Sequence, residues 1–532
     1  VNVDGERSRS LWMQIPPRPA PALDQDAKTD ILVIGAGIAG LSTAYELARL
    51  GRTVMVVDRG APARGMSART SAHLAFELDD FYAELTKLRG VDASRQFYES
   101  QSAAVDRIEA IVASEGIACD FARVDGWFVP ADARDVGYLR RELEAARAAG
   151  FLDAEWREEG PGPWCDAPAL RFPRQARFHP TKYLNGLISL LDRAGVRLFA
   201  DTPIVAIEET EGGVWARAEN GRAIEARAAV VAANTPFHLR VQTHTKQAPY
   251  RTYVLAARLP KGEAPDALVW DTLEPAYHYV RVQPERDFDW LIAGGEDHKT
   301  GEARDMEDRL EGLEAWTRRR FPKLGAVEFA WSGQVFEPAD YAPFIGRSPG
   351  AANVFLVSGD SGQGLTTGVA ASLILRDLVR GIDNPWADVY DPARSVLRAG
   401  LGEFVKENAD AARHWAAHLM NAEIESVDDL APGEGAIVKI GAARVAAYRR
   451  ENGSLALLDA ACTHAGCVVR FNAFERCWDC PCHGSQFSVE GEPLQGPACR
   501  PLAAARIPAE TGGRPNGGAR RRGEGPPAER DA

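Results

Sequence analysis

Residues 29–58 read TDILVIGAGIAGLSTAYELARLGRTVMVVD, and this stretch decides the fold. Ile31 to Ile34 is an apolar run that breaks at glycine. Leu41, Ala44, Leu47 and Ala48 then recur at helical spacing, and Gly51 stands where that helix should end. Val54 to Val57 is a second apolar strand closing on Asp58, so the segment is a βαβ unit. Gly35, Gly37 and Gly40 form G-x-G-x-x-G between strand and helix. The first allows a tight turn, the second a close backbone approach to a pyrophosphate, and the third close packing of helix on strand, with the helix N-terminus facing the phosphate. Asp58 follows Gly40 by 18 residues, where a carboxylate accepts from ribose hydroxyls and repels a 2′-phosphate. The pattern predicts FAD or NAD rather than NADP.

The same grammar returns at residues 353–381, NVFLVSGDSGQGLTTGVAASLILRDLVRG, where an apolar strand passes through glycines into a helix. Between the two lie helical stretches such as Ala93 to Glu115, short strands such as Gly126 to Val129, an amphipathic helix from Pro180, and a buried strand at Ala229 to Ala233. A second nucleotide fingerprint is absent, which points to an organic hydride donor rather than NAD(P)H. Residues 1–27 are rich in Pro and Arg and read as an N-terminal arm. Residues 384–421 read as a linker and helix, and ten of the 25 residues from 508 to 532 are Gly or Pro, which predicts a disordered tail.

The second sharp signal is cysteine placement. Of eight cysteines only Cys119 and Cys165 precede residue 460, and the rest crowd into the last domain. There, residues 461–487 read ACTHAGCVVRFNAFERCWDCPCHGSQF, with Cys462 and His464 as C-x-H and Cys480 and His483 as C-x-x-H. Two Cys and two His suit a tetrahedral structural zinc site. The full pattern C-T-H-x-G-C followed by C-P-C-H-G-S resembles the Rieske [2Fe–2S] module. That resemblance implies that Cys462 and Cys480 hold one iron and that neutral imidazoles of His464 and His483 hold the other, which raises the potential above that of an all-Cys cluster. It also implies a reduction site on the histidine side, near the surface. Cys467 and Cys482 match a pair that is disulfide-bonded in respiratory Rieske proteins. Ser485 matches a serine that donates to cluster sulfur, whereas Phe487 and Ala465 replace a tyrosine donor and a shielding leucine, so the expected potential is below the respiratory type. Cys477 and Cys499 match no ligand position.

Residues 28–383 resemble the FAD-dependent D-amino-acid, glycine and sarcosine oxidase superfamily. The opening βαβ unit, the R-x-x-x-x-R-T-S-A-H stretch from Arg64 to His73, the helix and strand at 180–208 and the final SGDSGQGLTTG carry the resemblance. It implies an α/β FAD-binding, Rossmann-like domain (segments 28–80, 176–236 and 336–383) with an inserted α+β substrate lobe (81–175 and 237–335), plus a small all-β Rieske domain at 422–507. Gly35, Gly37, Gly40, Asp58 and Arg59 would hold the ADP half, Arg69, Thr70 and Ser71 would line the pyrophosphate and flavin side, and Ile204 would meet the adenine. Ala233 would lie by the cofactor, and Gly362, Gly364 and Leu365 would supply donors near the flavin pyrimidine. His73 occupies a place where some relatives attach flavin covalently; its other reading is a satisfied histidine beside the cofactor. Tyr277, Tyr279 and Arg281 share one face of a strand and could bind a carboxylate, or could be a surface arginine with core aromatics. Several relatives carry a basic residue where this chain has Thr366, which puts an amino-acid substrate in doubt. His73, Tyr279, Arg281 and Thr366 are the candidate catalytic positions.

The balance of 62 Lys plus Arg against 75 Asp plus Glu, net −13, disfavours nucleic acid as a partner. No run approaches a membrane span, and the N-terminal stretch has no secretory pattern, so the expected location is cytoplasmic. The implied activity is a dehydrogenase that takes a hydride from a carbon beside nitrogen in a small amine, imino or amino-acid-like substrate. It would pass electrons from flavin to the cluster and on to an external acceptor such as a protein. The alternatives are an H₂O₂-forming oxidase with a cluster off the path, and a flavin and iron–sulfur carrier between protein partners.

Overall fold

The computed structural model describes residues 7–77, 81–162, 165–239, 243–272, 277–396, 422–441 and 443–506. The predicted βαβ unit forms the centre of an eight-stranded sheet. Ala27–Ile34 pairs in parallel with Val54–Val57 on one side and with Ala223–Val231 on the other. Arg197–Phe199 extends the first side, and Val354–Ser358 and then Phe344–Arg347 extend the second. Alternation along the first strand sorts two cores: Ile31 and Val33 pack with Leu41, Ala44 and Leu47 of the helix Ile38–Ala48, while Leu32 and Ile34 pack with Val214, Ala216 and Ile224. Two strand-to-helix units converge here, because the helix Gly364–Leu378 lies against Ile38–Ala48.

The inserted lobe is a nine-stranded sheet. Its long strands Val327–Pro338, Gln247–Leu259, Asp289–Lys299 and His278–Pro284 run antiparallel, and Ala267–Asp271, Ala122–Val129 and Ala169–Arg177 continue it. One face, with Val254, Leu268 and Ile292, joins the main core; the other, with Tyr253, Leu255 and Val269, packs under the helix Met306–Arg320. The last domain is all β, a three-stranded sheet (Gly435–Ile440, Ala443–Arg449, Leu455–Asp459) and a four-stranded one (Arg470–Asn472, Cys477–Asp479, Gln486–Ser488, Pro493–Gln495).

The N-terminal arm and the start of the linker segment are more than connectors. The N-terminal arm is a strap built into the core: Trp12 is fully buried, its Nε1 donates to Thr70 O at 2.7 Å, and Ser10 Oγ donates to Ala68 O at 2.5 Å. The Pro and Arg content hid this, because the apolar burial rests on one short turn, Leu11–Gln14, and the isolated Leu23. Trp12→Phe removes the donor to a backbone carbonyl and is expected to cost about 1–3 kcal/mol in urea unfolding. The first part of the 384–421 linker is likewise docked: Tyr390 is buried against Ser100 (2.7 Å), and Arg394 forms a bidentate pair with buried Asp340, both contacts at 2.8 Å. Residues 397–421, and the tail expected to be disordered, lie outside the described residues.

Candidate functional site: a dinucleotide cavity beside a Cys/His cluster

The glycine turn is fixed by backbone contact. Gly35 has φ +112°, and a Cβ there would stand 2.2 Å from Ala232 O; a Cβ at Gly40 would stand 1.8 Å from Gly35 O. Gly40 therefore sits behind the turn as a packing residue, while Gly35 and Gly37 line the cavity. Asp58 braces the same turn, since one carboxylate oxygen accepts from Ala36 N at 2.6 Å and the other from Gly60 N at 2.9 Å. Such a cradle, too tight for any side chain and opening onto the start of a helix, fits the pyrophosphate of FAD.

The cavity wall also contains Arg59, Thr70, Ser71, Ile204, Ala233, Gly362, Gly364 and Leu365, so residues distant in sequence are brought to one surface. Arg69 reaches the wall too, but its guanidinium points elsewhere. It donates to Glu475 Oε1 at 3.0 Å, Ser332 O at 2.9 Å and Ser8 O at 2.8 Å, with both charged side chains fully buried. Arg69 thus lines the cavity as expected, while the last domain brings a buried carboxylate to its guanidinium. Asp360 was missed by the sequence reading. It stands in the wall, and burial pushes its carboxyl up to about 6, only partly offset by the Phe336 N–H.

Of the candidate catalytic positions, the structure brings two together. His73 and Tyr279 both line the cavity with ring centroids 5.5 Å apart, and Tyr279 shares a hydrogen bond with Thr252 Oγ1 at 2.9 Å. His73 Nδ1 meets Ser71 Oγ at 3.0 Å; burial, reinforced by the Arg281 cation, pushes the imidazole down to about 3, so it is neutral. Arg281 and Thr366 are not among the lining residues. Arg281 is buried and donates to Ala72 O (2.6 Å), Phe178 O (3.2 Å) and Gln283 Oε1 (2.5 Å), so it ties strands together rather than meeting a substrate. A two-residue period put it on the face of Tyr279, yet its long side chain turns to those carbonyls.

In the last domain Cys462, His464, Cys480 and His483 converge. The His464 and His483 rings are 4.9 Å apart at 88°. His483 Nδ1 is buried with no hydrogen-bond partner among the described residues, and burial pushes this imidazole down to about 4, the neutral form a metal needs. Cys462 is pushed down to about 7, chiefly by the neighbouring Cys480 thiol and further by the N–H groups of His464 and Ala465 and the Ser485 hydroxyl. The N–H groups of Cys482 and His483 are aimed at the Cys480 sulfur in the same way. Amides converging on two sulfurs beside two neutral imidazoles fit a [2Fe–2S] cluster with mixed ligands. Cys467 and Cys482, although within 4.8 Å of Cys480, are joined as a disulfide with a Cα–Cα distance of 6.4 Å and so do not compete as ligands. Phe487 is fully buried and contributes no hydroxyl.

The histidine side, expected near the surface, packs against the inserted lobe. The buried ring of His244 lies 4.9 Å from His464 and 5.8 Å from His483. Gln334, which lines the dinucleotide cavity, donates to Gly484 O at 2.8 Å and accepts from Thr300 at 3.0 Å. Gly484 has φ +73°, and a Cβ there would be 2.8 Å from Pro249 Cβ, so the ligand loop can dock this closely only as glycine. A second buried ion pair, Arg251 with Asp479 at 3.0 Å, joins that of Arg69 and Glu475 through Ser332.

Geometry and chemistry together define a flavin oxidoreductase joined to an iron–sulfur module. The chain belongs to the FAD dependent oxidoreductase family, whose model matches residues 30–378, and a Rieske [2Fe-2S] domain matches residues 421–506. It is 32% identical over 502 residues to YhfW of Bacillus subtilis (strain 168), named for a Rieske 2Fe-2S iron-sulfur protein, covering 93% of this chain and 97% of that one. Gamma-glutamylputrescine oxidoreductase of Escherichia coli (strain K12) is 23% identical over 68% of this chain and 86% of its own. Glycine oxidase from Geobacillus kaustophilus shares the fold, with a TM-score of 0.57 and 17% identity over 70% of this chain and 98% of that structure. The protein is therefore an FAD-dependent oxidoreductase with a C-terminal Rieske domain. No helix among the described residues is long and apolar enough to cross a membrane.

Proposed function

We propose that the enzyme is a dehydrogenase that oxidises a small amine or imino compound and sends the electrons through its own cluster to an external acceptor. Gly35, Gly37 and Asp58 would hold FAD, which would supply a hydride acceptor for the carbon beside nitrogen, and Cys462, His464, Cys480 and His483 would hold a cluster that would supply one-electron transfer onward. The observation that carries this reading is Gln334, whose side chain is at once cavity wall and hydrogen-bond donor to the cluster loop. Docking the histidine side there keeps the route from cavity to cluster inside the protein.

The wall around His73 supports recognition of an amine rather than a carboxylate. Trp270, Tyr277 and Tyr279 give it an aromatic surface, and the neutral His73 adds no charge. Arg281 is spent on backbone carbonyls, and Thr366 supplies no cation. An ammonium group is held well by such aromatic faces. Similarity to an oxidoreductase named for gamma-glutamylputrescine supports the same class.

The test is anaerobic mixing of the holoprotein with a panel of amines and amino acids, following flavin bleaching optically and the reduced cluster by low-temperature EPR. Bleaching accompanied by a stoichiometric Rieske signal is the expected result. A flavin that bleaches while the cluster stays oxidised, and that air then restores with formation of H₂O₂, would overturn the relay.

A further inference from the structure

We propose that the iron–sulfur domain supplies part of the dinucleotide site, with the side-chain amide of Gln495 as a ligand for the ADP half of FAD; this rests on reading the cavity as the FAD site. Pro493–Gln495 is the edge strand of the four-stranded sheet and pairs with Gln486–Ser488. Leu494, Gln495 and Gly496 line the same cavity as Gly37 and Asp58. Two distances fix their place. Arg59 Nη1 donates to Pro493 O at 3.3 Å, and a Cβ at Gly496 would stand 3.5 Å from Thr235 Cγ2. Arg59 directly follows Asp58, so the strand descends beside the end of Val54–Val57, where a dinucleotide ribose is bound in βαβ folds.

Gln495 is 6% exposed, and neither Oε1 nor Nε2 has a hydrogen-bond partner among the described residues. A primary amide buried with donor and acceptor both open is costly unless something entering the cavity satisfies it. Asn234 Nδ2 and Thr235 Oγ1, also buried and without partners among the described residues, line the same cavity. Together these groups offer donors and acceptors to a ligand rich in hydroxyls and ring nitrogens. An aliphatic side chain at 495 would close the strand against the wall equally well without that capacity. A ligand held by both domains binds only their docked arrangement, so loading the cofactor strengthens the docking.

The test uses the full-length protein stripped of flavin but retaining its cluster, with ADP as the probe and calorimetry as the readout. Gln495→Ala is expected to weaken ADP and FAD by about tenfold, the loss of two modest hydrogen bonds. The cluster EPR spectrum should not change, and Glu492→Gln, an exposed position two residues before Leu494, should bind as the wild type does. Unchanged ADP affinity in Gln495→Ala would overturn the assignment. A parallel change in the EPR spectrum would overturn it as well, because the effect would then lie in undocking. A wild-type protein that binds neither FAD nor ADP would sink the reading of the cavity itself.

Discussion

Glu475→Ala is expected to lower the unfolding free energy by about 3–5 kcal/mol, the cost of leaving one member of a buried ion pair uncompensated. Glu475 is fully buried, and its carboxylate accepts from Ser8 N (3.0 Å), Arg69 (3.0 Å), Ser332 N (3.2 Å) and the hydroxyls of Ser8 and Ser332 (both 2.5 Å). Those groups belong to the N-terminal strap, the flavin domain and the lobe, so the variant strands donors on three elements at once. The pH dependence follows from the same environment. Burial alone would push the Glu475 carboxyl up, but the Arg69 and Arg251 cations and the two serine hydroxyls hold it below its ordinary value. A depressed folded value means the contribution is complete above the unfolded carboxyl range and is lost as the pH falls through the folded value. The stability gap between wild type and Glu475→Gln should thus be level above about pH 5 and shrink below about pH 4. Urea unfolding across pH measures it. A cost of about 1 kcal/mol or less, as for an exposed pair, would show that the two domains are not held by this network.

His483→Ala is expected to abolish the cluster while sparing the flavin. Removing even an outer-shell partner costs about 10–100-fold in metal affinity, and a direct ligand costs more. Iron content and the Rieske EPR signal should vanish, FAD should remain bound, and an active amine should still bleach it, with transfer to an external acceptor falling to background. His483→Cys is the informative companion, since an anionic thiolate in place of a neutral imidazole should lower the reduction potential of any cluster that assembles. A Rieske signal that persists unchanged in His483→Ala would remove this residue from the ligand set. Because Cys467 and Cys482 remain joined, the ligand loops keep one covalent brace in both variants.

Sequence by itself determined the parts whose chemistry is local. Gly35, Gly37 and Gly40 declare a strand-to-helix turn because only glycine survives contacts of 2.2 and 1.8 Å with backbone oxygen, and a turn that tight is written in consecutive residues. The four candidate ligand positions are equally legible, since each pair sits within one short loop and the residue types are those that suit iron. The cavity wall at Thr70, Ser71 and Gly362 followed from the same motifs. Tertiary structure decided what depends on partners far along the chain. Arg69 reads as a cofactor arginine until Glu475, 406 residues away, occupies its guanidinium. Arg281 shares a strand face with Tyr279, yet long flexible side chains follow available carbonyls and not the two-residue period. The N-terminal strap, the inward turn of the cluster histidines onto His244, and the placing of Gln495 in the dinucleotide cavity have no local signature at all. Each is the outcome of surfaces far apart in the chain meeting, through buried ion pairs such as Arg69–Glu475 and Arg251–Asp479 and hydrogen bonds such as Gln334 to Gly484 that no window of sequence brings together.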